Sequence, residues 1–147
     1  MRRFSRPAEI LLIEDNPGDV ELIYEALQEG PVLHHINEAP DGEAAMSFLE
    51  RARGYEDAPR PDLILLDLNI PKKDGFQVLR EIKADPNLAQ IPVVVLTTSQ
   101  TDRDVLKSYG LHANCFVSKP MDVDEFLKVV RTTGEFWLSL VKLPTGQ

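Results

Sequence analysis

Apolar and polar positions along this chain fall into two alternating kinds of segment. Short apolar runs stand at Glu9 to Ile13 (Glu-Ile-Leu-Leu-Ile), Leu63 to Leu66 and Val93 to Leu96. Runs of this length without polar interruption predict strands buried on both faces of a sheet. Between them the spacing turns helical. Val20, Ile23, Tyr24 and Leu27 form a stripe that starts with Asn16 as N-cap and Pro17 as first helical residue, and stops at Gly30-Pro31. Asp41 caps a second helix burying Ala45, Phe48, Leu49 and Ala52. Gly75 to Ala84 predicts a third helix through Phe76, Leu79 and Ile82. Thr101 with Asp104 reads as the capping box of a fourth, which buries Val105, Leu106 and Tyr109. Two strands are weaker: Val32 to Ala39 mixes apolar and polar residues as an edge strand does, and Asn114 to Ser118 is short. Asp122 with Glu125 starts a last helix running to about Leu143, and Arg53 to Pro61 is the longest irregular connection.

Strand and helix therefore alternate through five repeats. That alternation predicts an α/β fold, a doubly wound five-stranded parallel sheet with right-handed crossovers and helices on both faces. The all-apolar strands belong at its centre. This favours the strand order 2-1-3-4-5, one of the two common orders of doubly wound sheets. Residues 9–143 then form one domain, with 1–8 and 144–147 as tails that leave no room for an output domain.

Composition narrows the partners. A net charge of −8 over 147 residues argues against nucleic acid, whose phosphates need a basic patch. No apolar run approaches a membrane span, and the N-terminus lacks the apolar core of a secretory signal, so a cytoplasmic location is expected. Cys115 is the single cysteine, which excludes an internal disulfide and a thiolate cluster for zinc.

In an open parallel sheet, ligands bind outside the carboxyl ends of the strands. At those ends lie Glu14 and Asp15, Asp67 and Asn69, Thr97, and Lys119. Taken singly, each has a plain reading. An Asp after a strand is usually a turn or cap residue, Glu14-Asp15 could merely favour a helix N-terminus, and Thr97 and Lys119 could be solvated. Taken together, three converging carboxylates repel one another unless a hard cation neutralises them, and Mg2+ suits oxygen ligands of this kind. Asp67 is then a nucleophile for a phosphoryl group, with Thr97 and Lys119 supplying a hydroxyl and a point charge to its oxygens.

The chain resembles a response-regulator receiver domain of two-component signalling, which has a flavodoxin-like (βα)5 fold. The resemblance rests on Glu14-Asp15, Asp67, Thr97, Phe116 and Lys119-Pro120, with spacings of 30 from Asp67 to Thr97, 19 on to Phe116 and three more to Lys119. It implies that Asp67 is the phospho-acceptor, that Asp15, Asp67 and the Asn69 carbonyl contact the magnesium directly, and that Glu14 lies nearer a water-mediated position. It further implies Thr97 and Phe116 as switch residues and a cis bond before Pro120. Such a protein is not a conventional enzyme but catalyses its own phosphorylation and autodephosphorylation. The phrases from 14 to 19, 67 to 75 and 94 to 99, and Phe136-Trp137-Leu138, are similar to the stand-alone receivers paired with bacterial and cyanobacterial phytochromes. The resemblance implies as partners a sensor histidine kinase, a phytochrome by the finer likeness, and a downstream protein.

Excess aromatics on the last helix point to a homodimer surface that includes Phe136, Trp137 and Leu140, although a bend at Thr132-Thr133-Gly134 would tuck both apolar sets inward. Other functions fit less well. An aspartate-nucleophile phosphatase carries a second acid two residues after the first, where this chain has Asn69. A flavin module needs a phosphate loop that Glu14-Asp15 would repel. A phosphorylation-independent adaptor would have no use for the complete acid–Asp–Thr–Lys set.

Overall fold

The computed structural model describes residues 7–28, 34–97, 100–108, 110–111, 113, 115–119, 124–126 and 128. Its elements in chain order are β1 (Ala8–Ile13), α1 (Pro17–Gln28), β2 (His34–Ala39), α2 (Gly42–Glu50), β3 (Leu63–Asp67), α3 (Gly75–Ala84), β4 (Val93–Thr97), α4 (Gln100–Ser108) and β5 (Cys115–Ser118). Asp124, Glu125, Phe126 and Lys128 are also helical. All strand pairs are parallel, in the expected order β2-β1-β3-β4-β5.

Side chains of successive strand residues point to opposite faces, and this divides the core in two. Leu11, Ile13, Ile64, Leu66, Val93 and Val95 pack with α2, α3 and α4 through Phe48, Leu49, Val78, Leu79, Ile82 and Leu106. Ile10, Leu12, Leu63, Leu65, Val94 and Leu96 face the other way, onto Ile23 and Leu27 of α1 and onto Phe126. Complete burial of an aliphatic side chain contributes about 1.5–3 kcal/mol, so the central strands are anchored from both sides.

Local chemistry sets the helix starts. The Asn16 side chain accepts from the Asp19 amide at 3.0 Å, capping α1 as expected. Asp41 and Asp74 do the same for α2 and α3, accepting from Ala44 and Gln77. Gly75 is required by space: a Cβ there would come within 2.4 Å of the Leu68 Cα and 2.7 Å of the Asp67 carbonyl oxygen. The β3–α3 loop therefore folds tightly back against the end of β3.

Three local expectations are corrected. The fourth helix already contains Gln100, so Thr101 lies inside it rather than at a capping position. Val78, not Phe76, is the fully buried member of the first turn of α3; Phe76 packs only at the margin. Ala52 lies beyond α2, which ends where Arg51 takes left-handed backbone angles and donates to Phe48 O. The exposed His35 of edge strand β2 pairs with Glu9 at 3.1 Å, which gives that residue a place on a solvated edge.

Candidate phosphoryl-accepting site

Register brings the strand ends together. Ile13 lies beside Leu66, which sets Glu14 next to Asp67. Asp67 pairs with Leu96, so Thr97 is one step further along, and Thr97 pairs with Ser118, directly before Lys119. The Lys119 amide also bonds Thr97 O at 2.9 Å. Residues far apart in sequence therefore meet because four strands end at one level.

Asp67 and Glu14 are each only 3% exposed, which is costly for two carboxylates unless they are compensated. Lys119 is the compensation. Its ammonium lies 2.9 Å from Glu14, 3.1 Å from Asp67 and 2.8 Å from Asp19. An ammonium has three hydrogens, and each has a carboxylate to serve. Burial acts to lower the Lys119 pKa, but hydrogen bonds to Asp19, Glu14 and Asp67 outweigh it and hold the lysine charged. The Glu14 carboxyl is pushed up to about 7 by burial and by hydrogen bonding with Asp67, against the opposing pull of Lys119.

The second Asp67 oxygen is held as well. Asp67 Oδ1 accepts from the Asn69 amide at 2.9 Å, so the carboxylate is fixed between that N–H and Lys119. Oxygen atoms of Glu14, Asp15 and Asp67 lie within 4.8 Å of one another, with Asp15 the exposed member. Closely spaced hard oxygen donors, one open to solvent, suit a divalent cation that keeps waters and takes few protein carboxylates.

Thr97 is 1% exposed and sits at the same rim, yet its hydroxyl donates to Asp102 on α4 at 3.1 Å. Phe116 is partly buried, with the Arg103 guanidinium 5.0 Å from its ring centroid. Pro120, Phe136, Trp137 and Leu140 lie outside the described residues. The sequence reading missed Asp19, Asp102 and Arg103. Asp19 had a signal, as the acidic residue in the first turn of the helix that follows Glu14-Asp15; the two α4 residues had none.

Residues 10–131 match the response regulator receiver domain family. The chain is 49% identical over 140 residues to Response regulator Rcp1 of Synechocystis sp., covering 95% of each. It superposes with a TM-score of 0.79 on the phosphorylated cyanobacterial phytochrome response regulator RcpA, at 48% identity over 95% of this chain and all of that one. The Mn(2+)-bound form of Rcp1 gives a TM-score of 0.78 at 49% identity, over 95% of this chain and 100% of that one. Among the described residues no helix is long and apolar enough to cross a membrane. With the sheet order, the acidic crevice and the matched length in agreement, the chain belongs to the response regulator receiver domain family.

Proposed function

We propose that Asp67 accepts a phosphoryl group from a phosphohistidine of a sensor histidine kinase, and that this modification is the signal. The observation that carries the reading is a buried carboxylate at a strand end, fixed by the Asn69 amide on one oxygen and by Lys119 on the other. The Asp67 carboxylate attacks phosphorus, a P–O bond forms, and the P–N bond to histidine breaks. The electron pair leaves with the imidazole nitrogen, which is then protonated. Glu14, Asp15 and Asp67, with the Asn69 carbonyl, would hold Mg2+, which screens the charge of the incoming group. Lys119 then neutralises a phosphoryl oxygen, and Thr97 donates its hydroxyl to another once it leaves Asp102. Asn69, where a phosphatase has an acid, supports a persistent phosphoprotein with slow autodephosphorylation.

The kinase is a phytochrome in this reading, supported by the likeness to the cyanobacterial phytochrome response regulator RcpA. We also propose a cytoplasmic protein whose domain spans 9–143, that dimerises through Phe136, Trp137 and Leu140, has Pro120 in a cis bond, and passes its signal to a protein partner. Incubation with acetyl phosphate and magnesium is expected to add the mass of one phosphoryl group to wild type and none to Asp67→Asn. Equal modification of both proteins, or of neither, refutes the assignment.

A further inference from the structure

We propose that α4 carries a resting-state latch, in which Asp102 and Arg103 are positioning residues that keep Thr97 and Phe116 disengaged from Asp67. The inference rests on Asp67 being the phospho-acceptor. It adds two residues with no place in the acidic crevice.

The first half of the latch is a competition for one proton. A threonine hydroxyl has a single hydrogen to donate, and that of Thr97 is directed to Asp102 Oδ2 at 3.1 Å. While Asp102 holds it, no phosphoryl oxygen can. The Thr97 backbone cannot shift to serve both, because its carbonyl is tied to the Lys119 amide at 2.9 Å and its strand is paired on both sides. What remains is rotation about χ1, which in a β-branched residue moves between discrete staggered positions. At 1% exposure the hydroxyl needs a protein or ligand partner in either position. Thr97 is therefore a two-position element, with Asp102 as the acceptor in one of them.

The second half is the neighbouring residue. Arg103 lies with its guanidinium carbon 5.0 Å from the Phe116 ring centroid, within cation–π range, and favours the partly buried ring position. Asp102 and Arg103 are consecutive on α4, so one movement of that helix releases both. Leu106 is the one α4 residue fully buried among those described, which makes such a movement inexpensive. By reciprocity, whatever strengthens the latch weakens phosphoryl binding at Asp67, and whatever loosens it strengthens that binding by the same factor.

The test is a titration with beryllofluoride at fixed magnesium, followed through the Asn69 amide resonance, since that N–H bonds Asp67 directly. Asp102→Ala is expected to lower the midpoint about tenfold, the worth of one charge-assisted hydrogen bond. Asp102→Asn, which leaves a neutral acceptor, gives a smaller shift. Arg103→Ala lowers the midpoint about threefold. Magnesium affinity without beryllofluoride stays at the wild-type value, and the Asp102→Ala gain disappears in a Thr97→Val background. Unchanged midpoints in the Asp102 and Arg103 variants, or the same Asp102→Ala gain with Thr97→Val, overturn the latch while leaving Asp67 as acceptor. A wild type that takes up no beryllofluoride overturns the Asp67 assignment, and the latch falls with it.

Discussion

Two corners of the same rim are built on opposite principles. At the β1–β3–β5 corner, Glu14, Asp19 and Asp67 converge on Lys119, and the Glu14 and Asp67 carboxylates are each held by a backbone amide as well. At the β4–α4 corner, Thr97 and Phe116 are each restrained by a residue of a single helix that buries little. Chemistry at a carboxylate needs fixed charges, because misplacement of a nucleophile by a fraction of an ångström is costly. Signalling needs a segment whose alternative position lies within a few kcal/mol. In the proposed phosphoryl transfer, the difference between the corners matches those two requirements.

The comparison is broken most severely by removing the cation. Lys119→Ala leaves buried carboxylates uncompensated, and the metal-free protein is expected to lose about 3–5 kcal/mol in urea unfolding. Magnesium should restore part of this loss, because a divalent cation replaces the missing charge. An unfolding midpoint that does not move would show that the rigid corner is less dependent on Lys119 than its geometry implies.

A smaller effect comes from pH. The Glu14 carboxyl has a folded pKa of about 7 against a usual 4.5, so between these values the folded state binds more protons than the unfolded. Its contribution to stability is complete below about 4.5 and is lost as pH rises through about 7. Metal-free protein should therefore lose on the order of 2 kcal/mol across that window, and Glu14→Gln should flatten the profile. A wild-type profile as flat as the variant's removes Glu14 as the cause.

The smallest expected effect is that of Asp19→Asn. This pair is the more solvated of the three at Lys119, with Asp19 23% exposed. Its loss should cost about 1 kcal/mol or less while the Glu14 and Asp67 contacts persist. Amide exchange in α4 should remain as in wild type, since Asp19 belongs to the rigid corner. Faster exchange in α4 would show the two corners to be coupled even at rest.

How much of this was legible beforehand differs between the corners for the same reason. Unbroken apolar runs such as Leu63 to Leu66 can only be satisfied by burial on two faces, and alternating helices must then cover both. From that, the sheet, its order and the gathering of Glu14, Asp67, Thr97 and Lys119 at one rim follow from residue order, because register is a backbone property repeated along every strand. The capping of α4 was misread, since Thr101 and Asp104 match a local pattern that the helix overruns.

What the residue order could not supply is the direction of side chains once the rim has formed. A lysine stem has four rotatable carbons, and only the packed position of α1 decides that Lys119 also reaches Asp19. A threonine hydroxyl turns with one torsion, and only the placement of α4 decides that it meets Asp102 rather than Asp67. Asp67 as a candidate nucleophile was therefore written in the linear pattern, which repeats at strand ends. Its resting state was decided in three dimensions, where short-range contacts depend on angles and distances between elements that no spacing along the chain encodes.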